Sequence, residues 1–235
     1  MESMATRKKI TILRKELRAQ SKARVLIVDD HEMLCDGMRL MIEHQPDLEV
    51  CGQAADESTA LRQFRQARPD LVIVDISLKT GNGIDLIKRL KTVDSAARIL
   101  VYSMHDEQVY AERALRAGAM GYVTKQKPAQ AILHAIRHVL GGKLHFSDEV
   151  TQRVLERAAA HEPITQGSPV ESLSDRELEV FEMIGRGLTT RAIADRMHLS
   201  PRTIDTYRER LKIKLVLANA AELHYRAVQW VLKGS

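Results

Sequence analysis

The 235-residue sequence predicts an α/β fold, a doubly wound five-stranded parallel sheet, followed by a small all-α domain. Three observations carry this. From residue 24, five short apolar runs alternate with five segments whose apolar residues recur at three- and four-residue spacing. After residue 172 no strand-like run recurs, and four helical segments follow. Between the two lies a stretch, 158–172, of Pro, Gly and small polar residues with the composition of a linker.

Each element has its own signal. The strands are RVLIV (24–28), LEVCG (48–52), LVIVD (71–75), RILVYS (98–103) and GYVT (121–124). Their unbroken apolar character suits strands covered on both faces. The intervening helices are DGMRLMIEH, STALRQFRQA, GIDLIKRLK, VYAERALRAGA and PAQAILHAIRHVL, with stop signals at Gly118 and Gly141-Gly142. Residues 147–157 read as a short helix capped by Ser147. The C-terminal helices fall near 174–186, 189–196, 201–215 and 219–232. The chain therefore divides into a basic extension (1–23), an α/β domain (24–144), a linker with a short helix (145–172) and a helical domain (173–235).

Composition excludes several classes. At 44% hydrophobic and 29% charged residues the chain can bury a real core, so disorder throughout is excluded. Cys35 and Cys51 are too few for a disulfide framework or a cysteine zinc site and suit a reducing compartment. No apolar run approaches a membrane span, and the start lacks a secretory core, so a cytoplasmic protein with no membrane partner is expected. The net charge of +5 is unevenly spread. Residues 1–23 carry +5, 24–144 are neutral, 145–172 carry −3 and 173–235 carry +3. Nucleic acid is thus a plausible partner of the ends and not of the middle.

The strand ends carry the chemistry. Asp29 and Asp30 end the first strand and Asp75 the third. In a sheet of order 2-1-3-4-5 these strands are neighbours where the winding reverses, and ligands bind there. Three carboxylates in one crevice repel unless a cation sits among them, and Mg²⁺ fits oxygen ligands while leaving positions open for a phosphoryl group. Ser103 ends the fourth strand with a hydroxyl, and Lys125 follows the fifth with an ammonium.

Residues 24–144 resemble the receiver domain of bacterial two-component response regulators, a flavodoxin-like fold. The resemblance implies that Asp75 is the phospho-acceptor and that Asp29 and Asp30, with Asp75, hold Mg²⁺. It further implies that Ser103 and Lys125 bind the phosphoryl group, that Tyr122 is the aromatic switch residue, and that a histidine kinase is the donor. Ser77 and His105 stand where the family tunes phosphoryl lifetime. Leu78-Lys79, Met104 and Gln126 depart from the commonest receiver pattern without touching this chemistry. His31 reads as a surface residue opening the first helix, and His134, His138 and His145 show no convincing metal-ligand spacing.

In the C-terminal domain, Ser174 and Glu177 form a capping box, and Pro201 starts the third helix after Ser200. At 100° per residue, Ile204, Tyr207, Leu211 and Leu215 form its buried side. Arg202, Asp205, Thr206, Glu209 and Ile213 form the other, with Arg210 at the flank. This is helix-turn-helix architecture, whose later helix enters the major groove. The segment LSDRELEV…GLTTRAIADRM…SPRTIDTYRERLKIKL resembles the DNA-binding domain of LuxR-type regulators of the NarL/FixJ subfamily.

The resemblance implies contacts to operator DNA from Thr190, Arg191, Arg202, Thr203, Asp205, Thr206, Glu209 and Arg210. It also implies a homodimer through 219–232 in the active state, and RNA polymerase as a further partner. Glu209 is expected to read a cytosine amino group and, with Asp205, to orient Arg202 or Arg210, in preference to the two acids merely repelling wrong DNA. Val216 stands where the family often has Gly, and Ala218 and Ala220 where it has basic residues. The expected function is a phosphorylation-controlled transcription regulator and not an enzyme. The rivals are a regulator of the same fold switched by protein contacts, a phosphatase of the haloacid dehalogenase class, and an autoinducer-binding regulator. The phosphatase needs its DxD nucleophile after the first strand, where VDDH has adjacent acids. The autoinducer reading needs a ligand-binding domain, which an aromatic content of 4% spread across a receiver does not supply.

Overall fold

The structure, a computed structural model, describes residues 22–78, 81–159 and 169–233. Most of the basic extension, Lys79 and the middle of the linker lie outside these ranges. Five strands, β1 (Ala23–Val28), β2 (Leu48–Ala54), β3 (Leu71–Val74), β4 (Ile99–Ser103) and β5 (Gly121–Thr124), form one parallel sheet of order β2-β1-β3-β4-β5. The register aligns Val28 with Val74 and Val74 with Val101, so β1, β3 and β4 end at one level.

Five helices cover the sheet: α1 (Glu32–Glu43), α2 (Glu57–Ala67), α3 (Gly83–Val93), α4 (Glu107–Ala117) and α5 (Ala129–Leu140). Alternate strand residues feed two apolar layers. Val25, Ile27, Leu71, Ile73 and Leu100 pack with Met38, Ile42, Ile132 and Ile136 of α1 and α5. Leu26, Val28, Val72, Val74 and Val101 pack with Phe64, Ile84, Ile87 and Tyr110 of α2, α3 and α4. Burial on both faces is why the strand runs lack polar alternation. Asp56, Asn82 and Asp106 cap α2, α3 and α4 through side-chain oxygens. The first helix begins at Glu32, earlier than its apolar periodicity suggests, because His31 already takes the extended N-cap conformation.

Helix α6 (Asp148–Ala159) and a 3₁₀ turn (Pro169–Ser172) lead to four helices, α7 (Asp175–Gly185), α8 (Thr190–Met197), α9 (Pro201–Leu215) and α10 (Ala220–Lys233). The Ser174–Glu177 capping box is formed, and Thr189 and Ser200 cap α8 and α9. Leu178, Phe181, Ile193, Ile204, Leu211 and Leu223 make the core, joined to the α2–α4 side of the sheet. Helices α7 and α10 approach closely at Gly185, where an added Cβ would stand 2.4 Å from the Ala227 carbonyl oxygen. Among the described residues no helix is long and apolar enough to cross a membrane.

Candidate functional site

The ends of β1, β3, β4 and β5 converge on one crevice. Asp75 follows β3 and is 3% exposed. Its Oδ1 accepts a hydrogen bond from Ser103 Oγ at 2.6 Å, and its Oδ2 accepts one from Lys125 Nζ at 2.5 Å. Lys125 also reaches Asp29 Oδ2 at 2.6 Å, and its side chain is buried. One ammonium thus lies between two carboxylates. Burial alone would lower the Lys125 pKa, but Asp75 and Asp29 outweigh it and hold the ammonium above its ordinary value. The Asp29 pKa is raised as well: burial, then the charge of Asp75, lift it despite Lys125 and favour its neutral form.

Three carboxylates face one ammonium in the crevice. The buried Asp29 Oδ2 is paired with the Lys125 ammonium at 2.6 Å, and the buried Asp30 Oδ1 lies 2.9 Å from His31 Nδ1. Ligand atoms of Asp29, Asp30, His31 and Asp75 all lie within 4.8 Å of one another. Such a donor set fits a hard divalent cation, whose preference is for carboxylate oxygens. His31 is exposed and opens α1, as its sequence reading has it, and its Nδ1 lies 3.1 Å from Asp29 Oδ1 and 2.9 Å from Asp30 Oδ1. The backbone leaves no slack: a Cβ on Gly83, at the start of α3, would stand 2.0 Å from the Asp75 carbonyl oxygen.

Tyr122 lies on β5, two strands from β3, fully buried, its hydroxyl donating to the His105 carbonyl at 3.0 Å. Burial and the nearby Asp75 charge keep this phenol well above its ordinary pKa. The His105 ring turns outward to the helical domain. Its Nε2 is 2.8 Å from Ser77 Oγ, and its Nδ1 is 2.9 Å from Glu182 Oε2 on α7. Tyr110 also donates to Glu182, at 3.1 Å. Glu179, one turn earlier, accepts from Ser77 and from Asn82, each at 3.4 Å. Arg113 donates to Asp175 at 3.0 Å, and Arg176 to the Gly81 carbonyl. So α7 docks beside the crevice through two buried acids. No sequence signal marked Glu179 or Glu182: on a helix both read as solvated surface.

Glu182 is held below its ordinary pKa. Burial opposes this, but His105, Arg186 and the Tyr110 hydrogen bond prevail. At the far side of the domain, Arg191, Arg202, Asp205, Thr206, Glu209 and Arg210 are exposed. Thr190 and Thr203 are half-buried, and Thr203 is tied to the Ser200 cap. A shallow groove of about 320 Å³ runs along α9 between Arg202, Thr206 and Arg210. Glu209 pairs with Lys212 at 2.9 Å, not with Arg202 or Arg210.

The chain belongs to the response regulators: residues 25–137 match the response regulator receiver domain, and residues 171–227 match the bacterial regulatory proteins of the luxR family. That pairing makes it a DNA-binding transcription regulator and not an enzyme. It is 31% identical to response regulator GacA of Pseudomonas aeruginosa, over 88% of this chain and 95% of that protein. It is 30% identical to response regulator UvrY of Escherichia coli, over 87% and 93%. Among solved structures it resembles a LuxR-family two-component response regulator from Aurantimonas, at 37% identity and TM-score 0.54, over 59% of this chain and 99% of that one. It also resembles RcsB of Salmonella enterica bound to promoter DNA with a phosphomimetic, at 25% identity and TM-score 0.57, over 87% and 98%.

Proposed function

We propose that Asp75 accepts a phosphoryl group from a histidine kinase of the cytoplasm and that this event controls operator binding by the helical domain. The domains run 24–144 and 173–235, joined by 145–172. The observation that carries the reading is the setting of Asp75, buried between Ser103 and Lys125 beside the carboxylates of Asp29 and Asp30. An Asp75 oxygen attacks phosphorus as the bond to the donor nitrogen breaks. Because little covalent help is needed, positioning and charge neutralisation carry the catalysis. Lys125 turns from Asp29 and Asp75 toward the new oxygens, and Ser103 donates its hydroxyl to one of them. Asp29, Asp30 and Asp75 would hold Mg²⁺, which supplies charge neutralisation when bound.

Switching follows from the same geometry. The phosphoryl group adds roughly −1.5 to −2 charge. Two buried acids of α7, Glu179 and Glu182, sit on Ser77 and His105, each two residues from a residue that handles it. Movement of Ser103 toward the phosphoryl group opens space for the Tyr122 ring. That ring's hydroxyl holds the His105 backbone, so its motion pulls on the α7 contact. Released, the domain presents α9 to the major groove, with Thr190, Arg191, Arg202, Thr203, Asp205, Thr206, Glu209 and Arg210 as its DNA contacts. The exposed Tyr225 and Leu232 on α10 support a homodimer through that helix, and RNA polymerase is a further partner. Acetyl phosphate with Mg²⁺ tests the chemistry. Asp75 is labelled in the intact chain, Asp75→Asn abolishes labelling, and Asp30→Ala weakens it; full labelling of Asp75→Asn ends the assignment.

A further inference from the structure

We propose, on the reading of Asp75 as phospho-acceptor, that Glu182 of the helical domain shortens the lifetime of the phosphoryl group. Glu182 is the positioning residue of a proton relay, Glu182–His105–Ser77, that serves the water hydrolysing that group. Two hydrogen-bonded rungs span the exits of β3 and β4. The inner rung joins Ser103 Oγ to Asp75 Oδ1 at 2.6 Å. The outer joins Ser77 Oγ to His105 Nε2 at 2.8 Å, two residues further along each segment. Asp75 is buried and Ser77 half-buried, so the outer rung is the nearer to water. A lone bridge between Ser77 and Asn82 fixes one backbone, and the Tyr122 hydroxyl on the His105 carbonyl fixes the other.

Donor and acceptor roles set the direction of the relay. An ionised Glu182 only accepts, so His105 Nδ1, 2.9 Å from its Oε2, carries the proton. His105 Nε2 is then a lone pair and accepts the Ser77 hydroxyl proton. Tyr110 donates to the same Glu182 oxygen at 3.1 Å, and Arg186 pairs with the other, so the carboxylate is held in place. A carboxylate orients an imidazole in this way wherever histidine takes a proton from a hydroxyl. Ser77 Oγ keeps lone pairs for a water. The water oxygen bonds to phosphorus as the bond from phosphorus to the Asp75 oxygen breaks, and that bonding pair restores the Asp75 carboxylate. The water proton passes to Ser77 Oγ, whose own proton moves to His105 Nε2. The imidazolium formed lies against Glu182, and the proton then leaves to solvent. The network also fits this second state: Ser77 accepts from Nε2 and turns its hydroxyl to Glu179, 3.4 Å away. Because Glu182 belongs to the helical domain, the relay is complete only while α7 is docked, and release of the domain prolongs the signal.

The test follows loss of the phosphoryl label from the full chain after acetyl phosphate is removed, with Mg²⁺ present. His105→Phe and Ser77→Ala are each expected to slow the loss at least about tenfold. Glu182→Ala is expected to slow it at least about threefold, since His105 loses the group that orients it. The wild-type rate is expected to rise with pH between about pH 5 and 8, and the His105→Phe rate to stay flat. The groups facing His105 are Glu182, with Arg186 behind it, from α7, Glu179 across Ser77, Tyr110 from α4 and Tyr122 from β5. A merely structural outer rung leaves the pH profile in place. Labelling itself shows that the crevice of each variant is folded. If His105→Phe takes no label, Ser77→Ala, which lacks one oxygen, decides. Equal loss in wild type and Ser77→Ala, faster loss in Glu182→Ala, or a wild-type rate indifferent to pH would overturn the proposal. Those outcomes leave the assignment of Asp75 standing; failure to label the wild type removes both.

Discussion

Val216 ends α9 in the left-handed region, at φ 55 and ψ 52, with its side chain 89% exposed. A β-branched side chain there crowds its own backbone and gains no packing in return. The left-handed conformation costs about 1–2 kcal/mol for an L-residue and far less for Gly. Val216→Gly is therefore expected to stabilise the chain by about 1 kcal/mol, less the extra entropy glycine loses on folding. Denaturant unfolding of the two forms measures it, and a loss of stability would show that the turn is not strained. Glycine is required instead at Gly83, where a Cβ would strike the backbone of Asp75.

At the scale of elements, the contact of α7 with α4 and the loop before it turns on Glu182. Its Oε2 meets both His105 and Tyr110, and its other oxygen pairs with Arg186. Glu182→Ala leaves the buried Tyr110 hydroxyl without its acceptor, a loss of about 1–3 kcal/mol. That loss falls on the docked state alone, so the unphosphorylated variant is expected to bind operator more tightly than wild type. Unchanged affinity would mean that the contact does not restrain the domain. The same carboxylate sets a pH dependence. Its folded pKa lies below the ordinary 4.5, so its contribution is fully present above pH 4.5 and is lost as pH falls through the folded value. Acid titration of wild type against Glu182→Gln is expected to show a gap in docking stability at neutral pH that closes in acid.

For the whole molecule, phosphorylation matters only through a difference in affinity between docked and released states. Couplings of this kind are usually about 5- to 150-fold, so beryllofluoride with Mg²⁺ is expected to raise operator affinity within that range. By reciprocity, operator DNA is expected to raise phosphoryl occupancy of Asp75 equally. Equal operator affinity with and without beryllofluoride would favour the rival regulator switched by protein contacts. With +3 on residues 173–235, non-specific binding is expected to be weak. Glu209→Gln separates two further outcomes on a panel of single-base operator variants. If Glu209 reads a base, preference is lost at one or two positions; if it only repels phosphates, affinity rises uniformly. Its pair with Lys212 leaves one carboxylate oxygen for a base.

The sheet, its order and the convergence of Asp29, Asp30, Asp75, Ser103 and Lys125 were legible in the sequence alone. Strand and helix periods are local, and parallel winding brings neighbouring strand ends to one crevice. The caps at Ser174 and Ser200 were legible for the same reason, since a cap lies within four residues of its partner. The pairing of Glu182 with His105, 77 residues away, was not. A glutamate on a helix has the same period whether it faces water or a neighbouring domain. The histidines show the boundary between the two. His134 and His138 have helical spacing, but His145 joins them only because a bridge to Gly121 lays it along β5. Only tertiary packing decided which distant side chains meet, because those contacts depend on how separately encoded elements press together.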